Sequence, residues 1–107
     1  MLLTKKNRES LPPLYATDGD KNAKAVVKFF SPDSSFTWYA SEFDGEDTFF
    51  GLVDSGSGKE LGYFSLKELT SLRGRMGLPV ERDRLFSATS LGDLGSKIHS
   101  KVIVEVS

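Results

Sequence analysis

The stretch that decides the fold is DSGSGKELGYFS, residues 54–65, in which three glycines and a lysine lie between two apolar runs. A P-loop needs a glycine five residues before its Gly-Lys pair and a serine or threonine directly after it, but Val53 and Glu60 hold those positions. A dinucleotide fingerprint fails as well, because its third glycine comes one residue late and a strand pattern follows where a helix is needed.

The same stretch has the composition of a β-hairpin turn. Gly56 and Gly58 are predicted to supply the positive φ that tight turns require. Gly62 is predicted to mark a close backbone approach or a bulge. Working outward from this turn, segments rich in β-branched and aromatic residues predict strands at residues 23–30, 36–43, 48–53 and 60–64. Short polar turns separate them, so they predict an antiparallel meander.

Two helices are predicted at the sides of this meander. Thr4 can cap a short amphipathic helix over residues 5–10, which Pro12 and Pro13 end. Ser65 and Glu68 form a capping box that begins the main helix. The apolar stripe of this helix consists of Leu66, Leu69 and Leu72. The helix is predicted to end at Gly74 or Gly77.

The C-terminal third is less regular. Residues 80–86 are predicted as an edge strand or an extended crossing, and residues 90–94 as one helical turn. Residues 98–106 alternate valines with other residues. The segment 88–107 that contains them is predicted either to add a last strand or to remain a loosely attached tail. The whole predicts one α+β domain over residues 1–107: a small antiparallel sheet of four to five strands, packed by one main helix, with a short N-terminal helix.

Composition excludes several classes of protein. Fourteen Lys and Arg against fifteen Asp and Glu give a formal charge of −1, which argues against binding to nucleic acid and equally against an acidic DNA mimic. There is no cysteine, and the N-terminus has no apolar run that could serve as a signal peptide or membrane span. We therefore expect a cytoplasmic protein without membrane association.

Metal and cofactor motifs are incomplete. The acids of residues 18–22 resemble half of an EF-hand loop, but Ala23 and Phe29 replace its required glycine and glutamate. His99 is the one histidine and has no cysteine or second histidine with which to hold a metal. The densest acids, Glu42, Asp44, Glu46 and Asp47, surround a predicted turn, where solvation is the simpler reading. No cofactor is predicted.

The remaining candidate for function is an aromatic contact surface. Trp38 and Tyr39 are adjacent on one strand and point to opposite faces, so only one can lie in the core. If Trp38 faces the helix, Tyr39 is exposed on the outer sheet face, unless a helix or the C-terminal tail covers it. Arg82, in the run of residues 81–84, is a candidate anchor for a partner.

The chain resembles a family of small bacterial proteins of unknown function, common on plasmids, integrative elements and prophages. The motifs that carry the resemblance are LPPLYAT (11–17), VKFFSP (27–32), TWYASEFD (37–44), FFGLV (49–53), ELGYFSLKEL (60–69) and GLPVERDRLF (77–86). The resemblance implies a compact α+β domain and a mobile-element setting, in which genes often counter host restriction or CRISPR systems.

The sequence thus favours a non-enzymatic protein that binds a protein partner, with a host-defence component as the expected partner. The oligomeric state is left open. The predicted contact residues are Tyr15, Tyr39, Glu42, Asp44 and Arg82. The alternative is a nucleic-acid-binding protein or metal-dependent enzyme that uses the acids of residues 42–47 with Arg82.

Overall fold

A five-stranded antiparallel sheet forms the body of the protein, in a computed structural model that describes residues 2–17 and 23–95. The elements are α1 (Lys5–Ser10), β1 (Lys24–Ala25), β2 (Val27–Phe30), β3 (Thr37–Phe43), β4 (Thr48–Asp54), β5 (Lys59–Ser65), α2 (Leu66–Ser71), β6 (Glu81–Arg82) and β7 (Thr89–Ser90). The strand order is β5-β4-β3-β2-β6, and β1 pairs with β7 in a second, two-stranded sheet. The predicted α+β class and meander are confirmed. The EF-hand-like residues 18–22 and the last strand predicted at 98–106 lie outside the described residues.

The hairpin that joins β4 to β5 confirms the prediction for residues 54–65. The two strands pair without a break, from Thr48 opposite Ser65 to Asp54 opposite Lys59. The Ser55 amide closes the turn by donating to the Gly58 carbonyl at 3.0 Å.

The glycines of this hairpin were only partly predicted. Gly56 has the positive φ that was expected, at +91°, whereas Gly58 does not. Gly62 sits in regular pairing opposite Gly51 and not at a bulge. The close approach is at Gly51 instead, where an added Cβ would lie 1.8 Å from the Tyr39 carbonyl oxygen.

A bulge in β3 determines which side chains reach the core. The β3–β4 register shifts between Ala40 and Glu42, which leaves Ser41 as the extra residue. Before the bulge Trp38 and Ala40 face the core, and after it Phe43 does. Without the extra residue the strict alternation of the strand would have turned Glu42 inward.

The core is a set of aromatic rings around Phe49, which is fully buried. Its ring centroid lies 4.5 Å from that of Phe43, 5.2 Å from Phe64 and 5.5 Å from Phe29. Truncating a buried phenylalanine to alanine typically costs about 3–5 kcal/mol. β2, β3, β4 and β5 are therefore tied together through one side chain.

Segments that flank the helices cover much of this core. The capped helix α1 was correctly predicted, but none of its own residues is buried, so it is not the amphipathic helix expected. Instead Leu3 and Leu11, just outside its two ends, are buried in the main cluster. Leu69 from α2 and Val80 complete the cover.

Two elements differ from the prediction. The first strand is divided at Val26, whose amide donates to the Ala40 carbonyl, so that β1 can pair with β7. Helix α2 ends at Ser71, and Leu72 is already extended. The segment at 80–86 does provide an edge strand, β6, and residues 91–95 are helical, as expected for residues 90–94.

No helix in the described part of the chain has the length and apolar character that a membrane crossing needs.

The glycine contacts give a matched pair of substitutions. Gly51→Ala should lower the free energy of unfolding by about 2–3 kcal/mol, because backbone atoms must move to admit the new methyl group. Gly62→Ala, in the paired position with no described atom within 4 Å of the added Cβ, should change it by less than about 1 kcal/mol. Urea denaturation followed by the fluorescence of Trp38 measures both. Equal effects would contradict the close approach at Gly51.

Candidate functional site

Glu42 is a buried carboxylate that holds the segment following the two prolines. Its side chain is only 3% exposed. Its oxygens accept hydrogen bonds from the amides of Tyr15 at 2.7 Å and Thr17 at 2.9 Å, and from the Thr17 hydroxyl. Tyr15 adopts a left-handed backbone, with φ of 71°, and its side chain is 66% exposed. Among the predicted contact residues, Tyr15 and Glu42 are therefore brought together, with the carboxylate bound to the tyrosine backbone.

Two effects oppose each other at the Glu42 carboxyl. Burial raises its pKa, but the hydrogen bonds from the Thr17 hydroxyl and from the Tyr15 and Thr17 amides lower it by more, so the pKa lies below its ordinary value. The carboxylate is charged at neutral pH, and both of its oxygens already accept hydrogen bonds from within the chain.

The neighbouring acids also bind backbone amides. Asp44 accepts from the amides of Glu46, Asp47 and Thr48 at 2.8–3.0 Å, and these bonds lower its pKa. Asp47 accepts from the Ser65 hydroxyl at 2.6 Å and the Lys67 amide at 2.8 Å, which lowers its pKa as well. Within residues 2–17 and 23–95, no three His, Cys, Asp or Glu side chains are placed to hold a metal ion.

Asp47 also changes the expected start of α2. The Ser65 hydroxyl accepts from the Glu68 amide at 3.1 Å, as a capping box predicts. The Lys67 amide at this end, however, is bound by Asp47 from the turn between β3 and β4. The start of the helix is therefore fixed to the β3–β4 turn as well as to its own first residues.

Tyr39 is on the outer sheet face, as predicted, but that face is covered there. Its ring packs 5.8 Å from the ring of Phe86, beside a second cluster that includes Leu91 and Leu94. Burial, with the nearby charges of Asp54 and Asp83, raises the pKa of Tyr39. Of the two alternatives for this face, the structure supports cover by the segment that follows β6.

Arg82 binds the N-terminal segment. Its Nη1 donates to the Leu2 carbonyl at 2.7 Å, across 80 positions of sequence. This contact positions the chain next to the buried Leu3. Arg82 is half-buried in that role, and the ion pairs of the described residues do not join it to Asp44.

An open apolar hollow lies elsewhere, at the end of the β2–β3 hairpin. It is a cavity of about 290 Å³, which we call the apolar slot. Trp38 and Val80 are its buried apolar lining, and Phe36 stacks on Trp38 with ring centroids 5.6 Å apart. Leu72 lines the other side. Phe36 and Leu72 are 42% and 43% exposed, so the slot is open to solvent.

The rest of the slot lining is polar or small. Besides Phe36, Trp38, Leu72 and Val80, the lining consists of Ser31, Ser34, Arg73 and Gly74. Arg73 Nη1 donates to the carbonyls of Thr70 at 3.0 Å and Leu72 at 2.7 Å, which directs the arginine backward along the end of α2.

Asp33 joins the two walls of the slot. Its Oδ2 accepts from the amides of Met76 at 2.8 Å and Leu78 at 3.4 Å, on the turn after Arg73. Its carboxylate lies against Gly74, where an added Cβ would be 1.3 Å from Oδ1. Glycine at that position is therefore needed for the two walls to meet.

Sequence reasoning missed the apolar slot. Phe36 and Trp38 were assigned to one face of β3, but the segment that packs beside them, residues 72–80, was assigned to the end of the main helix and to the start of the segment at 80–86. One signal was available: Leu72, Met76 and Leu78 are three large apolar residues within a stretch that also contains two glycines and a proline. Such a stretch cannot bury them all.

The fold and these contacts define a small α+β protein in which carboxylates brace loops, and comparison with known proteins gives its family. Residues 2–94 match the family described as "Protein of unknown function (DUF2958)", and the chain belongs to that family. No curated protein and no solved structure matches it.

Glu42→Gln tests the brace on the 15–17 segment. At pH 7 the variant should lose about 1–3 kcal/mol of unfolding free energy, because charged hydrogen bonds become neutral. Since the folded pKa of Glu42 is depressed, the stabilisation is full above its unfolded pKa of about 4.3 and is lost as pH falls through the folded value. The gap between wild type and variant, measured by urea denaturation, should therefore narrow below about pH 4. A constant gap from pH 7 downward would contradict this role.

Asp33→Ala tests the junction of the slot walls. The variant should lose about 1 kcal/mol of stability and exchange the amide hydrogens of Met76 and Leu78 faster, as NMR hydrogen exchange will show. Asp44→Ala is the matched control, because it removes a similar turn acceptor elsewhere. Protection at Met76 and Leu78 that is unchanged in Asp33→Ala would rule out the junction.

Proposed function

We propose that this protein is a non-enzymatic binding protein, an accessory of a mobile genetic element, that docks a protein partner at the apolar slot. The partner we propose is a component of a host defence system. The observation that carries the binding function is the open stack of Phe36 on Trp38, facing Leu72 across the slot. The mobile-element setting comes from the resemblance of the motifs.

The distribution of exposed apolar side chains supports this location. Among the described residues, eight large apolar side chains are exposed, and four of them line the slot or belong to the turn beside it. These four are Phe36, Leu72, Met76 and Leu78. Concave sites that place aromatic and aliphatic side chains next to a few polar groups are typical of binding sites. Tyr15 is a further exposed aromatic outside the slot.

The alternative of a metal-dependent enzyme or a nucleic-acid-binding protein has less support. The acids proposed for it already accept hydrogen bonds from the chain: Glu42 from the 15–17 segment, Asp44 from its own turn and Asp47 from the start of α2. Arg82 donates to the Leu2 carbonyl. Using these carboxylates on a substrate would compete with contacts that hold the fold.

Site-directed photo-crosslinking in host cells tests the proposal. With p-benzoylphenylalanine at Phe36, we expect one dominant protein adduct, and the purified adduct protein should bind the wild-type chain in a 1:1 complex. The matched control is the same label at Leu61. Leu61 is also exposed, but it aligns with Leu52 and Tyr39 on the opposite sheet face.

The purified pair then provides the quantitative check. Leu72→Glu should weaken binding at least about tenfold, equivalent to about 1.4 kcal/mol, whereas Leu61→Glu should leave it unchanged. The proposal fails if the label at Leu61 gives the same adduct, if no adduct forms at Phe36, or if both glutamate variants bind normally.

A further inference from the structure

The charge at the mouth of the apolar slot indicates which kind of partner segment it accepts. Arg73 lines the slot, and Arg75 is exposed two residues further along the same turn. The ion pairs in the described residues are Lys28 with Asp83 and Lys59 with Asp54, and neither includes an arginine. Arg73 therefore brings a positive charge to the slot that no described carboxylate neutralises within 4 Å.

The guanidinium of Arg73 also has hydrogen-bonding capacity to spare. Its two described hydrogen bonds both come from Nη1, to carbonyls at the end of α2. An arginine has five N–H donors, so Nε and Nη2 keep donors that no described atom accepts. Those two nitrogens form one edge of the planar group, which matches the two oxygens of a carboxylate.

Asp33, the acid that joins the slot walls, does not neutralise the charge of Arg73. Asp33 directs its carboxylate to the Met76 and Leu78 amides and to the Ser31 hydroxyl. It is occupied in joining the walls, and it forms no ion pair with Arg73 at 4.0 Å or less. An occupant with its own carboxylate would thus meet a cation without displacing an internal partner.

The size and lining of the slot define the second requirement. A cavity of about 290 Å³ is at the lower limit of small-molecule sites, and suits one large side chain better than an extended cofactor. Phe36 and Trp38 offer ring surfaces, while Leu72 and Val80 offer aliphatic ones. Beside the slot, Leu78 continues the apolar surface along the turn.

We infer that the apolar slot binds an acidic peptide segment of the partner, with one aromatic or leucine side chain inserted and a neighbouring carboxylate on Arg73. This inference rests on the proposed function and specifies the partner's segment. Charge complementarity selects the acidic segment, and the lining selects the inserted residue.

Synthetic peptides test the inference on the full-length protein. The probe is acetyl-Gly-Asp-Phe-Asp-Gly-amide, titrated into ¹⁵N-labelled protein while the Trp38 indole and the Arg73 and Gly74 amides are followed by NMR. Three matched peptides replace both aspartates by asparagine, both aspartates by lysine, or the phenylalanine by alanine. We expect the asparagine peptide to bind about tenfold more weakly than the probe, and the lysine and alanine peptides to bind more weakly still.

A protein variant isolates the arginine. Arg73→Gln should weaken the acidic probe about tenfold and remove the preference for aspartate over asparagine, and leave the weak binding of the asparagine peptide unchanged. Arg84→Gln, at an exposed arginine on another segment, is the matched control and should leave all affinities unchanged.

The possible failures separate the two proposals. Equal binding of the aspartate and asparagine peptides overturns the acidic segment but leaves docking at the slot intact. If no peptide shifts the slot resonances and a thymidine octanucleotide does, both are overturned in favour of single-stranded nucleic acid. If no probe shifts them, the acidic segment is overturned, and the crosslinking at Phe36 decides the proposed function by itself.

Discussion

The packing of Phe49 against three other rings is the interaction on which the structure depends. Phe49 lies on β4, and its ring meets Phe29, Phe43 and Phe64 from β2, β3 and β5. Phe43 reaches it only because the bulge at Ser41 shifts the alternation of β3. The same shift places Glu42 on the other face, where it can hold the N-terminal segment. One extra residue thus serves both the core and the loop above it.

Four carboxylates hold turns and the start of a helix in place. Asp33, Glu42, Asp44 and Asp47 each accept hydrogen bonds from backbone amides in turns or at a helix start. A chain with six-residue helices and several tight turns leaves many amides without helix or sheet partners, and short acidic side chains are well suited to bind them. The dense acids that resemble a catalytic cluster in the sequence are, in the structure, supports for loops.

Local features of the fold could be predicted from the sequence, and long-range contacts could not. The strands of the meander, the positive φ of Gly56 and the caps at Thr4 and Ser65 depend on residues a few positions apart, and these predictions were confirmed, whereas those for Gly58 and Gly62 were wrong. Glu42 binds Tyr15 across 27 positions and Arg82 binds Leu2 across 80, and no pattern in the sequence pairs them. Gly51 and Gly62 look alike in the sequence. Only the bulged partner strand makes one of them crowded.

The junction at Asp33 holds the mouth of the slot by contacts other than those that pack the rings around Phe49. Phe36, Leu72 and Leu78 are exposed beside this junction, whereas Trp38 and Val80 beneath them belong to the main core. Substitutions at the three exposed residues are therefore expected to cost less folding stability than substitutions in the core. Under the proposed docking function, the mouth could then change to suit a different partner while the scaffold beneath stays the same.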